Sequence, residues 1–407
     1  MAGQSILTFA SEALKLVYGD LHEQLRDKTP ALDFIESSSA HITQNGREVI
    51  FDTHIGRNHG IGARGVGEKL PVAGAQKYKQ AHLYLKNLYG AIQVDGQLFE
   101  QAADNYNSFI NVVDNEIKGL KRDLMVDLNR QIYGDASGKL AAVKTGVTGA
   151  TVVFDSVQYV EVGMVVDMLL GSDLTDGTPT IKNGSTHLTV LSVNETTGAV
   201  TFDASVVAAV GDIIVRASNG TNSFGKELTG LASIVAATGS LHGIDPSSVE
   251  AWKSTVVDIS SGGTPGSLTE LQLINLVQSV DKKGGDVDVF LASPGVYNAY
   301  WSLLTSLRRF SNGAELTGGQ RSFTFEALGK PIKFVSDYAA PKGTLYALSS
   351  GEMVINRKRD WAWMDRDGSM WRRVADTDAY EARIFQYSEI GTYRRNAHAK
   401  LSGIAEL

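Results

Sequence analysis

Hydrophobic positions that recur every three or four residues predict the longest helix of the chain, over residues 104–133. Asn105 or Asn107 can cap its start, and Gly134 can end it. At a rise of roughly 1.5 Å per residue such a helix spans about 40 Å, so we expect it to serve as a spine. The periodic positions are Tyr106, Phe109 or Ile110, Val113, Ile117, Leu120, Leu124, Leu128 and Ile132.

Two strand patterns separated by a glycine-rich stretch precede this helix. The first strand is predicted over Glu48–Ile55, and the second over His82–Tyr89 with a continuation at Ala91–Val94. Residues 56–80 between them hold six glycines and five basic residues against one acid, Glu68. A stretch with so few bulky apolar residues cannot form its own core. We therefore expect an extended hairpin that projects from the body and is ordered by a partner.

Residues 147–222 favour β structure, because β-branched residues alternate with small polar ones and Lys182 is the only lysine. Strands are predicted at Leu188–Val193 and Ala199–Phe202, with a hairpin loop between them that ends at Gly198. Further strands are predicted within Val160–Leu170 and Gly211–Val215. The pattern indicates a small β-barrel or sandwich, inserted between the spine helix and the segment that follows.

The remaining residues combine α/β and β-rich patterns. Ser247 with Glu250, and Ser267 with Glu270, match the capping box at a helix start. The second of these helices carries Leu271, Ile274, Val277 and Val280 on its predicted apolar face and ends at Lys282–Gly285. Further on, the sequence predicts a strand at Val287–Leu291, a helix from Pro294, and strands from Phe323 to Ile404 with a turn at Asp365–Gly368. An amphipathic helix is also predicted over residues 5–37.

Composition and charge narrow the possible functions. The 407 residues carry a formal net charge of −7, which disfavours dedicated DNA binding, and they contain no cysteine. Disulfides, thiolate zinc sites and cysteine nucleophiles are therefore excluded. The start of the chain does not resemble a signal peptide, and no apolar run reaches the roughly 20 residues of a membrane span. We expect a soluble protein made in a cytoplasm.

Several partial motifs for chemistry fail on their context. Gly60–Gly65 has the dinucleotide-binding spelling, but Gly67, Pro71 and Gly74 prevent the helix that this site needs. In Gly220–Lys226, which resembles the start of a P-loop, Glu227 stands where Ser or Thr must hold magnesium. The histidines are scattered, and no nucleophile elbow occurs. We predict no catalytic, cofactor or metal site and no enzymatic activity.

The order of these segments resembles the major capsid proteins of tailed bacteriophages, with the Hong Kong 97-type α+β fold. That family has an N-terminal arm, an extended hairpin called the E-loop, a spine helix, an α/β A-domain and a β-rich P-domain. The resemblance covers nearly all of the chain outside the β insertion. Local text agrees in four places: Gly65–Pro71 at the hairpin tip, Phe290–Pro294 at a strand-to-helix junction, Leu328–Ile332, and the closing strand Arg395–Leu401.

The resemblance implies a domain plan and a function. The expected segments are the arm 1–46, the hairpin 47–95, the spine 96–140, the small all-β insertion 141–223, the A-domain 224–322 and the P-domain 323–407. The implied function is a virion shell subunit that assembles into hexamers and pentamers around double-stranded DNA. A separate scaffolding protein, a portal and a decoration protein are the implied partners. An encapsulin-type bacterial compartment is the alternative, and a nearby terminase or portal gene would decide between them.

The basic residues have two possible roles each. Arg57, Arg64, Lys69, Lys77 and Lys79 on the hairpin are candidates for contacts with another subunit. Some relatives form a lysine–asparagine isopeptide bond there, but the matching asparagine and glutamate are not identifiable, so we favour electrostatic contacts. The second set is Arg357, Lys358, Arg359, Arg394 and Arg395, which could contact packaged DNA unspecifically or form ion pairs. Arg308–Arg309 and Arg372–Arg373 are further basic clusters, for which solvated surfaces are the plainer interpretation.

Overall fold

The structure is a computed structural model, and it describes residues 31, 36–38, 48–96, 106–174, 177–184, 186–308, 322–366, 368–375 and 377–407. The chain divides into two compact units. The main unit comprises Met1–Asn129 and Ile234–Leu407, and the inserted unit comprises Arg130–Ser233. The helix predicted over residues 5–37 lies mostly outside the described residues, although Glu36 and Ser37 at its end are in a strand.

The elements follow one another along the chain in three groups. The first group is β1 (Glu36–Ser38), β2 (Glu48–Gly56), β3 (Lys77–Tyr84), β4 (Lys86–Asp95) and α1 (Tyr106–Tyr133). The second is β5 (Lys139–Thr145), β6 (Val147–Phe154), β7 (Val165–Leu169), β8 (Leu188–Asn194), β9 (Ala199–Ala208), β10 (Ile213–Ser218), β11 (Thr221–Asn222) and the single turn α2 (Leu231–Ile234). The third is β12 (Thr255–Asp258), α3 (Glu270–Asp281), β13 (Val289–Ala292), α4 (Pro294–Arg308), β14 (Ser322–Ala327), β15 (Lys330–Ser336), β16 (Leu345–Leu348), β17 (Met353–Trp363), β18 (Arg372–Arg373), β19 (Ala379–Thr392) and β20 (Ala399–Ser402).

The spine helix α1 packs on a sheet built around the long strand β19. This strand pairs antiparallel with β17, β18 and β4, and β1 adds to β17 in parallel. Ile117 and Met125 of α1 are buried against Ile92 and Ile384 of the sheet. The helix and its apolar face are therefore confirmed wherever its side chains are described.

A second sheet of the main unit has the strand order β12-β20-β16-β13-β15-β14. Helices α3 and α4 supply buried residues to one core with it, among them Leu276, Val296 and Tyr300. The aromatic rings of Tyr300 and Phe334 stack there with their centroids 4.7 Å apart. Pro294 begins α4, as predicted, because a missing amide hydrogen costs nothing in the first helical turn.

Strands β5 to β10 of the inserted unit close into a six-stranded antiparallel barrel. The order β10-β5-β6-β9-β8-β7 is closed by pairing between β7 and β10, from Ile213 opposite Leu169 to Arg216 opposite Val166. Alternate side chains point inward along the strands, so a packed core fills the barrel. Buried members of that core are Val152, Phe154, Val166, Met168, Leu188, Val190, Val200 and Phe202. The barrel alternative is thus the one adopted.

Two of the predicted helix starts, at Ser247 and at Ser267, are wrong. No capping box forms at Ser247, because the Asp245 carboxylate accepts both the amide and the hydroxyl of Ser247, at 2.8 and 2.7 Å. Only a short 3-10 turn follows, at Glu250–Trp252. The second box is shifted by two residues: Thr269 caps α3 and pairs with Gln272.

The shifted start of α3 also turns its apolar face. Leu271 is exposed, whereas Leu273 and Leu276 are buried together with the expected Val277 and Val280. Two strand predictions also needed correction. The strand expected within Val160–Leu170 is only β7, since turns occupy residues 157–164. The strand expected over His82–Tyr89 is split at Leu85 into β3 and β4, which pair with different partners.

The barrel core generates a stability prediction. Phe154 is 1% exposed and meets Phe202 edge-on, with ring centroids 6.3 Å apart. Phe154→Ala should lower the free energy of unfolding by about 3–5 kcal/mol, because it leaves a cavity in a packed core. The matched control is Leu191→Ala on the barrel surface, which should stay within about 0.5 kcal/mol. Urea unfolding of the full chain measures both, and equal effects would contradict this packing.

Candidate functional site

The hairpin formed by β2 and β3 is held by its own subunit at its base. Val49, Phe51, Ala81 and Leu83 are buried there, on alternate positions of the two strands. The Phe51 ring meets the Tyr393 ring edge-on, with centroids 5.2 Å apart. The base is therefore part of the main unit, and its inward side chains belong to that core.

Backbone contacts fasten the same base to the loop around residue 242. The amide of His82 donates to the carbonyl of His242 at 2.9 Å. The His82 ring lies 3.2 Å from the Glu48 carboxylate across the strand pair. Gly391 of β19 leaves room for this packing, because a Cβ there would lie 2.9 Å from Leu83 Cδ1. Such a contact is closer than real Cβ atoms accept, so a side chain at this position would force the end of Leu83 to shift.

The tip of the hairpin, residues 57–76, has no helix or strand and lies in solvent. Ile61, Leu70 and Val72 expose 82%, 81% and 87% of their surface, and Val66 is fully exposed. A soluble monomer seldom presents so many bulky apolar side chains together. Burial of one such side chain contributes about 1.5–3 kcal/mol. The tip therefore presents apolar side chains that no described residue of the subunit covers.

Local hydrogen bonds nevertheless give the tip a defined turn. The Glu68 amide donates to the Gly65 carbonyl at 3.2 Å, and the Gly65 amide donates to Glu68 Oε2 at 2.8 Å. Gly67 within this turn has a φ of 87°, a region that favours glycine. Arg64 Nε donates to the Lys69 carbonyl at 3.2 Å. The turn contains Val66, which is fully exposed.

All five basic hairpin residues predicted as contacts are exposed in the subunit. Arg64 contacts only carbonyl oxygens of the tip in the hydrogen bonds described, at Ala63 and Lys69. The isopeptide reaction needs a desolvated lysine amine, and Lys69, Lys77 and Lys79 are all solvated here. The sequence predicts these charges as contact residues, whereas the exposed Ile61, Val66, Leu70 and Val72 beside them were not predicted. Apolar residues in a loop with no core were the signal that could have identified them.

The basic residues of β17 have different surroundings. Lys358 and Arg359 are exposed, and Arg357 is half-buried. The Arg359 guanidinium lies over the Phe385 ring at 5.2 Å from its centroid. A cation over an aromatic face keeps its charge available to solvent. These residues therefore remain candidates for contact with an anionic partner.

Arg394 and Arg395 are not available in the way that the sequence suggested. Arg394 pairs with Glu352 of the same chain at 3.4 Å and donates to the Gly284 carbonyl at 2.9 Å. Arg395 is 1% exposed and donates to the carbonyl oxygens of Ile234, Thr238 and Gly239 at 2.9–3.1 Å. The prediction that Arg395 contacts DNA is therefore wrong for the folded subunit, because its guanidinium is buried among backbone carbonyls.

Two histidines near this arginine are neutral near neutral pH: His398 is buried, and His242 is half-buried. Burial, with a smaller effect of Arg395, lowers the pKa of His242 to about 3. Burial, with a smaller effect of Arg394, lowers the pKa of His398 to about 3 as well. The ring of His398 accepts from the Ser349 amide and contacts the Thr392 hydroxyl at 2.9 Å. Both rings support packing beside the hairpin base.

The part of the chain that the structure describes lacks two other kinds of functional feature, a metal site and a membrane-spanning helix. Within it, His, Asp and Glu side chains form no cluster able to hold a metal ion. Among its helices, none combines the length and apolar character required to cross a membrane. Glu227, which stands where a P-loop needs Ser or Thr, is buried. Its carboxylate pairs with the buried Arg130 at 2.6 Å.

Comparison with known proteins shows the fold. No family model and no curated protein sequence matches the chain. The capsid of cyanophage A-1(L) matches with a TM-score of 0.56 at 13% identity, over 92% of this chain and 93% of the other. A native GTA particle capsid (TM-score 0.47, 9% identity, 93% and 91% covered) and the SrpI encapsulin of Synechococcus elongatus (0.41, 11%, 92% and 88%) are more distant. The chain thus has the fold of a tailed-phage major capsid protein.

The glycine at the hairpin base generates a prediction. Gly391→Ala should displace Leu83 and lower the free energy of unfolding by about 1–3 kcal/mol, as overpacking does. Hydrogen exchange of the β2 and β3 amides should accelerate. Gly351→Ala is the matched control, because a Cβ there meets nothing within 4 Å. Unchanged protection of the Leu83 amide in Gly391→Ala would refute the close contact.

The buried histidines generate a pH prediction. Between the ordinary value of 6.5 and about 3, unfolding lets His242 bind a proton that the folded state excludes. The free energy of unfolding must therefore fall as the pH drops below 6.5, by about 2 kcal/mol per histidine at pH 5. Urea unfolding measures the free energy of unfolding at pH 7 and at pH 5. The difference between the two values should be about 2 kcal/mol smaller in His242→Asn than in the unmodified chain. His59→Asn, in the exposed tip, should keep it, and identical pH slopes in all three proteins would show the interpretation to be wrong.

Proposed function

We propose that this chain is the major shell subunit of a tailed bacteriophage, a structural protein without enzymatic activity. The observation that carries the proposal is the hairpin, whose base is fixed in its own subunit while its apolar tip is exposed and meets no described residue that would cover it. Such an arm suits a shell subunit, because each copy must make the same contacts with another copy throughout a closed assembly.

The chemistry of the tip supports another copy of the chain as its partner. The chain carries a net charge of −7, whereas residues 56–80 carry five basic residues and one acid. Charge complementarity therefore favours contact between this basic stretch, the tip with its flanking residues, and the acidic surface of a second copy. Apolar contacts of Ile61, Val66, Leu70 and Val72 would supply the affinity, and the surrounding charges would supply the orientation.

The finer assembly is part of the same proposal. We infer hexamers and pentamers that enclose double-stranded DNA, with a separate scaffolding protein, a portal and a possible decoration protein as partners. The inserted barrel would lie outside the wall, where a closed barrel offers no strand edge for unwanted pairing. Lys358 and Arg359 are the basic residues that remain available for unspecific phosphate contact, with Arg357 half-buried beside them.

Assembly itself is the test. The full chain, co-expressed with its genomic neighbours, should form closed shells that electron microscopy and sedimentation detect. Val66→Asp combined with Leu70→Asp should reduce the yield of shells at least about tenfold, because burial of two charges opposes the contact. Subunit folding should be unchanged, since both residues are exposed in the subunit.

The control is Leu191→Asp, which places the same charge on an exposed apolar position of the barrel. It should assemble as the unmodified chain does. A chain that never assembles beside its genomic neighbours, or a tip variant that assembles normally, would contradict the proposal. Shells that contain enzymes and no DNA would favour the encapsulin alternative.

A further inference from the structure

One turn of the main unit holds a bulky side chain in a strained backbone conformation. Strands β14 and β15 are joined by Leu328 and Gly329, and Ala327 pairs with Lys330 across this turn. Both turn residues have positive φ angles, 52° and 76°. A two-residue hairpin turn of this kind favours asparagine, aspartate or glycine at its first position. Leucine is an outlier there, because its Cβ crowds the following carbonyl oxygen.

Two other turns of the same chain show how this conformation is accommodated elsewhere. Between β10 and β11, Asn219 with a φ of 48° precedes Gly220, and asparagine tolerates this backbone region. Beside the base of the β2–β3 hairpin, His242 with a φ of 53° precedes Gly243. The His242 ring meets the Phe51 ring edge-on, with centroids 6.3 Å apart. The unusual backbone at His242 therefore accompanies packing inside the subunit.

Leu328 has no comparable packing among the described residues. It exposes 53% of its surface, although Ala327 and Ile332 of the same two strands are buried in the core of their sheet. Pro331, which follows the turn, is exposed as well. Strained backbone persists in folded proteins where the conformation serves a function, so an observed outlier directs attention to a contact. Packing within the described part of the subunit does not explain this one.

The two strands and the residue that they contact carry no net charge. Lys330 Nζ donates to the Asp286 carboxylate at 2.6 Å, and both residues are exposed. Glu326 and Lys333 are the remaining charged residues of β14 and β15. A chain with a net charge of −7 repels its own copies, so a locally neutral apolar turn suits a contact between two copies. A phosphate backbone would find no surplus of positive charge here.

We propose that Leu328 is an assembly contact, whose side chain packs against apolar side chains of a second copy of this chain. The inference rests on the proposed shell function, because a symmetric assembly gives every copy of Leu328 the same partner surface. Burial of the exposed part of the leucine would offset the strain of its backbone. This contact is additional to the tip of the β2–β3 hairpin and uses other residues.

Leu328→Asn separates the strain from the contact, because the two effects have opposite signs. Asparagine suits the turn, so the melting temperature of the free subunit should rise by about 2–4 °C. The yield of shells, formed by co-expression with the genomic neighbours, should nevertheless fall at least about tenfold, since the apolar contact is lost. Leu328→Met keeps an apolar side chain of similar volume and should assemble as the unmodified chain does.

Ala136→Asn is the matched control for the backbone effect. Ala136 has a φ of 68° and lies in the inserted unit. Its substitution should also stabilise the subunit, and the yield of shells should not change. A normal yield of Leu328→Asn shells, or a lower melting temperature of this variant, would overturn the proposal.

A single thiol identifies the partner. The chain contains no cysteine, so Leu328→Cys accepts a thiol-reactive photocrosslinker at this position alone. The label is placed on a small share of the subunits before assembly, so that most contacts stay intact. Irradiated shells should give a product of two copies of the chain, at least about tenfold more than Leu191→Cys gives from the barrel surface.

The possible failures can be told apart. Crosslinks from Leu328→Cys to a different protein alone would overturn the proposal and assign the turn to that protein. Shells of the unmodified chain together with an unaffected Leu328→Asn variant would refute the Leu328 contact and leave the shell function standing. An unmodified chain that forms no shells beside its genomic neighbours would refute both.

Discussion

The structure depends on one constraint: a loop that has no core must be held at both ends while its apolar tip remains in water. Within the part of the subunit that the structure describes, the tip, residues 57–76, leaves Ile61, Val66, Leu70 and Val72 exposed. The base meets the constraint by giving alternate side chains of β2 and β3 to the main core and by bonding His82 to the loop at His242. The base thus keeps the hairpin ordered. Burial of the tip can then contribute binding free energy when a second molecule covers it.

Around that base, several buried polar groups have defined partners, whereas His242 Nε2 has no hydrogen-bond partner among the described residues. The Arg395 guanidinium donates to three backbone carbonyls, which stabilise a cation in the core. Burial lowers its pKa to about 10, which still leaves it charged near neutral pH. Desolvation also disfavours a further positive charge beside this arginine. The neighbouring His242 and His398 are therefore neutral near neutral pH. This arrangement fixes the segment after β19, against which the hairpin base packs.

The inserted unit satisfies its backbone in another way. Its strands close on themselves through β7 and β10, so the barrel presents no long unpaired edge. The main unit, by contrast, ends one sheet at the two-residue strand β18 among the described strands. The closed barrel resists unplanned strand pairing.

The sequence by itself determined the elements whose signals are local. The spine helix α1, the strands of the hairpin and the turn at Gly198 follow from periodicity and from residues with special backbone freedom, and the structure contains each of them. Tertiary structure alone decided the closure of β7 on β10, the burial of Arg395 and the face of α3 that carries Leu273. The physical reason is distance along the chain: pairing and desolvation depend on residues far apart in sequence, and periodicity reports only near neighbours. Whether a basic residue meets solvent or three carbonyls was therefore beyond the reach of sequence patterns.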